Sequence, residues 1–301
     1  MTACYTRMMR RTDSRPTKSG SSARGSHLSR ALRKVAGITV AALVLGALAG
    51  EASAERPGRR AWLGIELAPG PSGGVVAKHV VTSSPARTAG VSDGDQIVAA
   101  DGVPLEKPEQ LVARVAIAGP GGTVKLRVRR GGVEREVSAM PVEHPGSEQV
   151  LRLDKVGTFA PTWKAVSVKG SVPANIGLLR GRVVLLDFWA SWCGPCRAVS
   201  KDLSKLHTTY AAQGLSVVGL TSDSVEVATK AAADLAMLYP VASDTDNDTA
   251  ALYGVRALPT MFVIDKKGVI REIFIGYGPG HAEAVEKLIT TLLAEPGPPP
   301  G

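Results

Sequence analysis

Residues 183–196 read Val-Val-Leu-Leu-Asp-Phe-Trp-Ala-Ser-Trp-Cys-Gly-Pro-Cys, and their reading decides the fold. The first seven form an apolar run interrupted only by Asp187. A central strand buried on both faces has this signature, because neither face meets water. Beyond Cys196, Val199, Leu203, Leu206 and Tyr210 recur at i, i+4, i+7 and i+11, the spacing of one helix face. The Cys-x-x-Cys thus sits where a buried strand gives way to an amphipathic helix. Unpaired N–H groups and the dipole at a helix N-terminus stabilise a thiolate, and the thiolate is the attacking species in disulfide exchange. Cys193 is the expected nucleophile. Cys196, one turn into the helix, is close enough to resolve a mixed disulfide, and Pro195 limits backbone freedom between the two.

Downstream, Leu215 to Leu220 reads as a second apolar strand and Ser224 to Leu238 as a helix. Met261–Ile264 and Val269–Ile273 flank Asp265-Lys266-Lys267-Gly268 as a hairpin, and Gly280 to Leu293 reads as a closing helix that His281 caps or starts. Strands alternating with helices, then a hairpin, predict an α/β sheet. Asp244-Thr245-Asp246-Asn247-Asp248 hints at a calcium loop. Thr249 stands where the loop needs Gly, however, and Val255 where it needs Glu, so a turn and helix cap is the reading taken. Zinc needs a second ligand pair, which the scattered His79, His144, His207 and His281 do not supply, so no metal is expected. A purely structural Cys193–Cys196 bridge would close too short a loop to restrict the unfolded chain much.

Upstream, from Ala61 to Val142, short strands alternate with Gly/Pro punctuation. Ile97–Ala100 ends at the Asp101-Gly102 turn, and Val124, Leu126 and Val128 alternate with Lys125, Arg127 and Arg129. Arg130-Gly131-Gly132 turns the chain back along Val133–Val137, and Pro108 to Ala118 has helical spacing.

The chain has 301 residues, room for two ordinary domains, with 44% apolar and 21% charged residues, a globular composition. Its formal charge of +9 is concentrated at the start: residues 1–54 carry +7 and the remainder only +2. A near-neutral body gives no electrostatic reason to expect nucleic-acid binding. Arg30, Arg33 and Lys34 precede the uncharged run 35–50, and Ala52-Ser53-Ala54 follows it. A basic segment, an apolar segment and a small-residue site in that order predict a signal peptide cleaved after Ala54, with an uncleaved signal anchor as the alternative. Cleavage removes Cys4 and leaves Cys193 and Cys196 as the only cysteines, an even count that fits paired thiol chemistry in an exported protein.

Phe188 to Cys196 resembles the active site of thioredoxin, and Leu258-Pro259-Thr260 resembles its cis-proline loop. Gly157…Ala160-Pro161, Gly181-Arg182-Val183-Val184 and the string Tyr253 to Gly268 are similar to the exported TlpA/ResA branch of that family, as is the extra helix and strand between Ser222 and Tyr253. Upstream, Trp62-Leu63-Gly64-Ile65, Ser84-Pro85-Ala86…Ala89-Gly90-Val91 and Gly94-Asp95-Gln96-Ile97…Asp101-Gly102 resemble a bacterial PDZ domain. The resemblance implies a thioredoxin fold, a central mixed sheet flanked by helices with an inserted helix and strand, preceded by a small PDZ-like β-barrel/α domain. The organisation expected is a signal peptide or anchor over 1–54, a PDZ-like domain over 59–143, a linker over 144–150, a thioredoxin-like domain over 151–295 and a disordered tail over 296–301.

Carried over residue by residue, the resemblance makes Pro259 a cis-proline that positions the substrate chain. Trp192, Gly194, Pro195 and Leu258 become substrate contacts. Asp187 becomes the buried carboxylate of cytosolic-type thioredoxins, where the exported branch more often has Asn; desolvation would raise its pKa and fit it to deprotonate Cys196. Leu63, Gly64 and Ile65 would form the loop that offers backbone N–H groups to a peptide C-terminus, the peptide then adding as a strand. The implied activity is exported thiol–disulfide exchange, in the reducing direction, with the Cys193–Cys196 disulfide in place of a cofactor. The implied partners are exported protein thiols and disulfides, apocytochrome c thiols among them by analogy with cytochrome c biogenesis. A membrane electron donor and a C-terminal peptide ligand for the PDZ-like loop are also implied. The location is periplasmic or otherwise extracytoplasmic. An oxidase or isomerase, and a peptide-binding adaptor whose thiols sense redox state, remain the rival readings.

Overall fold

The computed structural model describes residues 60–70 and 73–298. The predicted leader and its cleavage site, and the last three residues of the tail, lie outside the described residues. Among the described residues no helix is long and apolar enough to cross a membrane.

The N-terminal half begins with β1 (Ala61–Trp62), β2 (Ile65–Pro69), β3 (Val75–Val80) and the short helix α1 (Pro85–Thr88). It continues through β4 (Gln96–Ala100), β5 (Val103–Pro104), helix α2 (Pro108–Ala118), β6 (Val124–Arg130), β7 (Val133–Ala139) and β8 (Val142–Glu143). The alternation read from 124 to 128 puts Val124, Leu126 and Val128 into the core and the intervening cations outside. Val75, Ala77, Ile97, Leu111 and Val115 complete this core. The sheet runs β2-β3-β4-β6-β7 and stays open, so the barrel expected here does not close. Its physical reason is in the pairing: β1 and β8 pair with each other instead of bridging the edges β2 and β7.

The expected linker is largely a helix, α3 (Ser147–Lys155). Tertiary partners account for it. The Arg152 guanidinium donates to the Ile273 carbonyl at 2.8 Å, while the Leu153 carbonyl accepts from the Ser83 N–H at 2.9 Å. Asp154 accepts from the Thr82 N–H at 3.2 Å and lies 2.8 Å from His79 Nε2. These bonds tie α3 to both halves of the chain. Burial pushes the Asp154 carboxyl up, but Lys155 and His79 together hold it below the ordinary carboxylate range.

The C-terminal half follows as β9 (Val166–Lys169), β10 (Val183–Trp189), α4 (Cys196–Tyr210), β11 (Leu215–Thr221) and α5 (Val225–Asp234). Then come β12 (Val241–Ser243), α6 (Asp248–Tyr253), β13 (Thr260–Ile264), β14 (Ile270–Ile275) and α7 (His281–Ala294). The mixed sheet has the order β14-β13-β10-β11-β12-β9, with β10, β11 and β12 parallel and the others antiparallel to their neighbours. All seven residues of β10 are buried, as the apolar run requires. Val183, Leu185 and Trp189 pack on one face with α4 and α7, and Val184, Leu186 and Phe188 pack on the other with Tyr253 and Trp163. The α5 helix stops at Asp234, four residues before the end expected at Leu238, and Ser224 caps it by accepting from the Val227 N–H. The chain must turn there to bring Tyr239 under the sheet and start β12.

Candidate active site

The site forms at the C-terminal end of β10. The loop between β10 and α4 is held from below: the Ser191 N–H donates to Asp223 Oδ2 at 2.7 Å, and Thr221 Oγ1 donates to the same oxygen at 3.0 Å. The Cys193 N–H donates to the Ala190 carbonyl at 3.1 Å. Cys193 and Cys196 are joined as a disulfide, with an S–S distance of 1.99 Å and Cα atoms 5.3 Å apart. Cys193 ends just outside α4 and Cys196 is its first residue. The Cys196 N–H donates to Cys193 Sγ at 3.3 Å, so an orphan donor of the helix terminus is already aimed at the first sulfur. Both sulfurs are buried, yet Gly194 and Pro195 between them are exposed and Trp192 is 75% exposed.

The Leu258–Pro259 bond is cis, Pro259 is buried and Leu258 is half-buried. The Gly276 N–H donates to the Pro259 carbonyl at 2.8 Å, and Thr260 Oγ1 donates to the Ala257 carbonyl at 2.7 Å. Pro259 lacks an N–H, and its carbonyl already accepts one hydrogen bond within the fold. The N–H and carbonyl of Leu258 have no acceptor or donor among the described residues. Between this loop and Trp192 lies a cavity of about 240 Å³, with Phe188, Thr221, Ser222, Asn247 and Arg256 on its walls. Arg256 is exposed and forms no ion pair among the described residues.

Asp187 is 1% exposed and stands on β10 opposite Gly219 of β11 and Met261 of β13. By the alternation of the strand it faces the layer that holds Leu185, Trp189, Cys193 and Cys196. Its carboxyl is pushed up to about 7 by burial, against the Tyr239 hydroxyl, which donates to Oδ2 at 3.4 Å and pulls it down. The other oxygen, Oδ1, has no hydrogen-bond partner. Asp244 does what the helix-cap reading expects: its Oδ2 accepts from the Thr249 and Ala250 N–H groups at the start of α6. Among the described residues no cluster of His, Cys, Asp and Glu is placed to hold a metal ion.

At the other end of the chain, Leu63 and Gly64 link β1 to the edge strand β2, which begins at Ile65. Their N–H groups have no acceptor among the described residues, while their carbonyls accept from Ala86 and Val81. Gly64 has φ +79°, and a Cβ there would stand 2.3 Å from the Ser84 Cβ. The close approach that demands glycine is therefore to Ser84 of the same fold.

Tyr239, Gly219, Asp223 and Arg256 escape the sequence reading. Only Arg256 had a usable signal, its place three residues before Pro259; the others meet the site across strands that no local spacing links.

A buried strand delivering a Cys-x-x-Cys to a helix start, with a cis-proline loop alongside, defines a thioredoxin-fold dithiol protein. Residues 156–273 match the AhpC/TSA family and residues 61–140 match the PDZ domain family. The thiol-disulfide oxidoreductase ResA of Bacillus thuringiensis (strain Al Hakam) is 32% identical over 123 residues, which cover 40% of this chain and 70% of that protein. Protein DipZ of Mycobacterium bovis is 32% identical over 163 residues, half of this chain but only 23% of DipZ. A crystal structure of a putative thiol:disulfide interchange protein DsbE from Chlorobium tepidum matches at 36% identity and TM-score 0.44, covering 46% of this chain and 99% of that one. The chain belongs to the family of thiol–disulfide oxidoreductases that includes ResA, and it carries a PDZ domain ahead of the thioredoxin-like one.

Proposed function

We propose that the protein is an exported dithiol reductase that opens disulfides in extracytoplasmic proteins. The observation that carries this reading is the Cys193–Cys196 pair at the start of α4, with the Cys196 N–H donating to Cys193 Sγ. In the reduced protein that donor and the helix terminus favour the Cys193 thiolate. The thiolate attacks one sulfur of a substrate disulfide, forming a mixed disulfide and expelling the other substrate sulfur as a thiolate. Cys196 then gives its proton to Asp187 and attacks Cys193 Sγ. The mixed disulfide breaks, and the second substrate sulfur leaves as a thiolate that takes up a proton. The substrate gains two electrons and the enzyme is left as the disulfide.

Leu258, beside Pro259, supplies a free backbone N–H and carbonyl for pairing with the substrate chain. Trp192, Gly194 and Pro195 form the exposed rim over the sulfurs. No cofactor is needed in this reading, because the reduced Cys193/Cys196 dithiol carries the two electrons and the disulfide is what remains after they are given up. Regeneration requires a dithiol donor, and in an oxidising compartment that donor is a membrane protein. Export rests on the leader read from the sequence, and apocytochrome c thiols are one substrate class that the family suggests.

The free N–H groups of Leu63 and Gly64 beside the open edge of β2 favour a second role, capture of a peptide C-terminus by strand addition. That role would bring clients to the dithiol, or would stand alone in an adaptor. Equilibration of residues 55–301 with glutathione or dithiothreitol tests the main reading. A midpoint near about −270 mV supports a reductase; one near about −120 mV makes the protein a disulfide-forming oxidase.

A further inference from the structure

We propose that Tyr239 is a positioning residue for the proton of Asp187: its hydroxyl occupies Oδ2 and so directs proton exchange with the Cys196 thiol to Oδ1. The inference rests on the reading of Asp187 as the base of the resolving step. Four observations support it. Tyr239 is 1% exposed and its hydroxyl is the only hydrogen-bond partner of the Asp187 side chain among the described residues. Tyr239 and both cysteines belong to one buried cluster, the layer that Asp187 faces. The ring is seated by a bare backbone: a Cβ on Gly219, the residue opposite Asp187, would stand 3.1 Å from Tyr239 Cε2 and 3.1 Å from Trp189 Nε1. Burial, reinforced by the Asp187 carboxylate, raises the Tyr239 phenol well above its ordinary value, so the hydroxyl stays protonated and stays a donor.

Among the described residues no other side chain bonds the Asp187 carboxyl. Asp187 faces Gly219 on β11, Met261 on β13, and Leu185 and Trp189 along its own strand, none of which titrates. Besides Tyr239, the titratable groups of the layer are Cys193 and Cys196, once the disulfide is reduced, and Tyr210 and Tyr277, whose hydroxyls donate to Glu286 and Asp202 and not to Asp187. Among the described residues no Lys, Arg or His bonds the carboxyl. A hydroxyl donating to Oδ2 makes that oxygen the carbonyl-like one in the neutral acid, and the proton then resides on Oδ1. In the resolving step Sγ of Cys196 loses its proton to Oδ1 and forms the bond to Cys193 Sγ, while the substrate sulfur departs with the electron pair of the broken S–S bond. The same hydroxyl stabilises the carboxylate that exists before the transfer, and so holds down a pKa that burial alone would lift further.

The test uses residues 55–301 with Cys193 loaded as the mixed disulfide with thionitrobenzoate. Release of thionitrobenzoate by Cys196 is followed by stopped flow from pH 5 to 9. Tyr239→Phe removes only the hydroxyl and should move the midpoint of the rate profile upward by about one pH unit, a loss of up to roughly tenfold at pH 6. Asp187→Asn should abolish that midpoint. Carbon-13 titration of the Asp187 carboxyl in the oxidised protein, which needs no turnover, should show the same upward displacement in Tyr239→Phe. An unchanged midpoint in Tyr239→Phe alongside a lost one in Asp187→Asn overturns the role of Tyr239 and leaves the base in place. A wild-type profile in Asp187→Asn overturns the base itself, and the inference with it.

Discussion

Replacing Asp187 with Asn should make the oxidised protein markedly more stable at pH 8 and leave it nearly unchanged at pH 4. The carboxyl is fully buried, bonded among the described residues only by the Tyr239 hydroxyl at 3.4 Å, and burial lifts it from 3.8 to about 7. The folded protein therefore prefers the neutral acid, whereas the unfolded chain ionises near 3.8. The advantage of the neutral form is complete below pH 3.8 and is lost steadily as pH rises to about 7, above which it stays lost. Three units of pH at ~1.4 kcal/mol each amount to about 4 kcal/mol of stability given up by the wild type at pH 8. Asparagine has nearly the same shape and no charge to desolvate, so it recovers most of that. Urea unfolding of the oxidised wild type and variant, at half-unit steps from pH 4 to 8, measures the difference directly. A gap that opens between pH 4 and 7 and then levels is the expected result. A gap that is constant with pH, or that is absent at pH 8, would mean that Asp187 ionises freely, and the argument for a buried base would fail.

Two further predictions concern the PDZ domain. Gly64→Ala should destabilise it by roughly 2–4 kcal/mol, because φ +79° and a Cβ 2.3 Å from Ser84 Cβ are imposed together; loss of hydrogen-exchange protection in β3 and β4 with the thioredoxin-like half intact would verify this. For that reason a substitution at Gly64 is no clean block of the peptide loop. Arg130 grips the buried Asp95 with two bonds of 2.6 and 2.8 Å, and though burial pushes that carboxyl up, Arg130 and the Ser92 N–H hold it below the ordinary range. Arg130→Ala should therefore cost most at neutral pH, where Asp95 is left charged in the core, and progressively less toward pH 3. A penalty that does not shrink in acid would refute the pairing argument.

What the sequence determined by itself are the features that local physics decides. The run 183–189 had to be a doubly buried strand, because seven residues with one polar member leave no face for water. The helix after Cys196, the turn at Asp101-Gly102 and the cap before Thr249 follow from periodicity and turn chemistry, and the structure has α4, that turn and α6 at those places. The two cysteines are three apart in the chain, so their meeting needs no tertiary information. Tertiary structure decided the rest. Residues 144–150 read as a linker because His144-Pro145-Gly146-Ser147 carries turn chemistry, and the helix that in fact begins at Ser147 is held by Ile273, Ser83 and His79, which lie far away in sequence. The open sheet of the PDZ domain depends on β1 choosing β8 as partner, a choice between distant edges that alternation cannot express. The environment of Asp187 was settled in the same way. Residues 187, 219 and 239 share no spacing, and only parallel pairing of β10 with β11 and the turn after α5 place the glycine opposite the acid and the tyrosine hydroxyl on its Oδ2. Local periodicity assigns a side chain to a face, but which groups share that face, and hence where a proton rests, is set by the register between strands far apart in the chain.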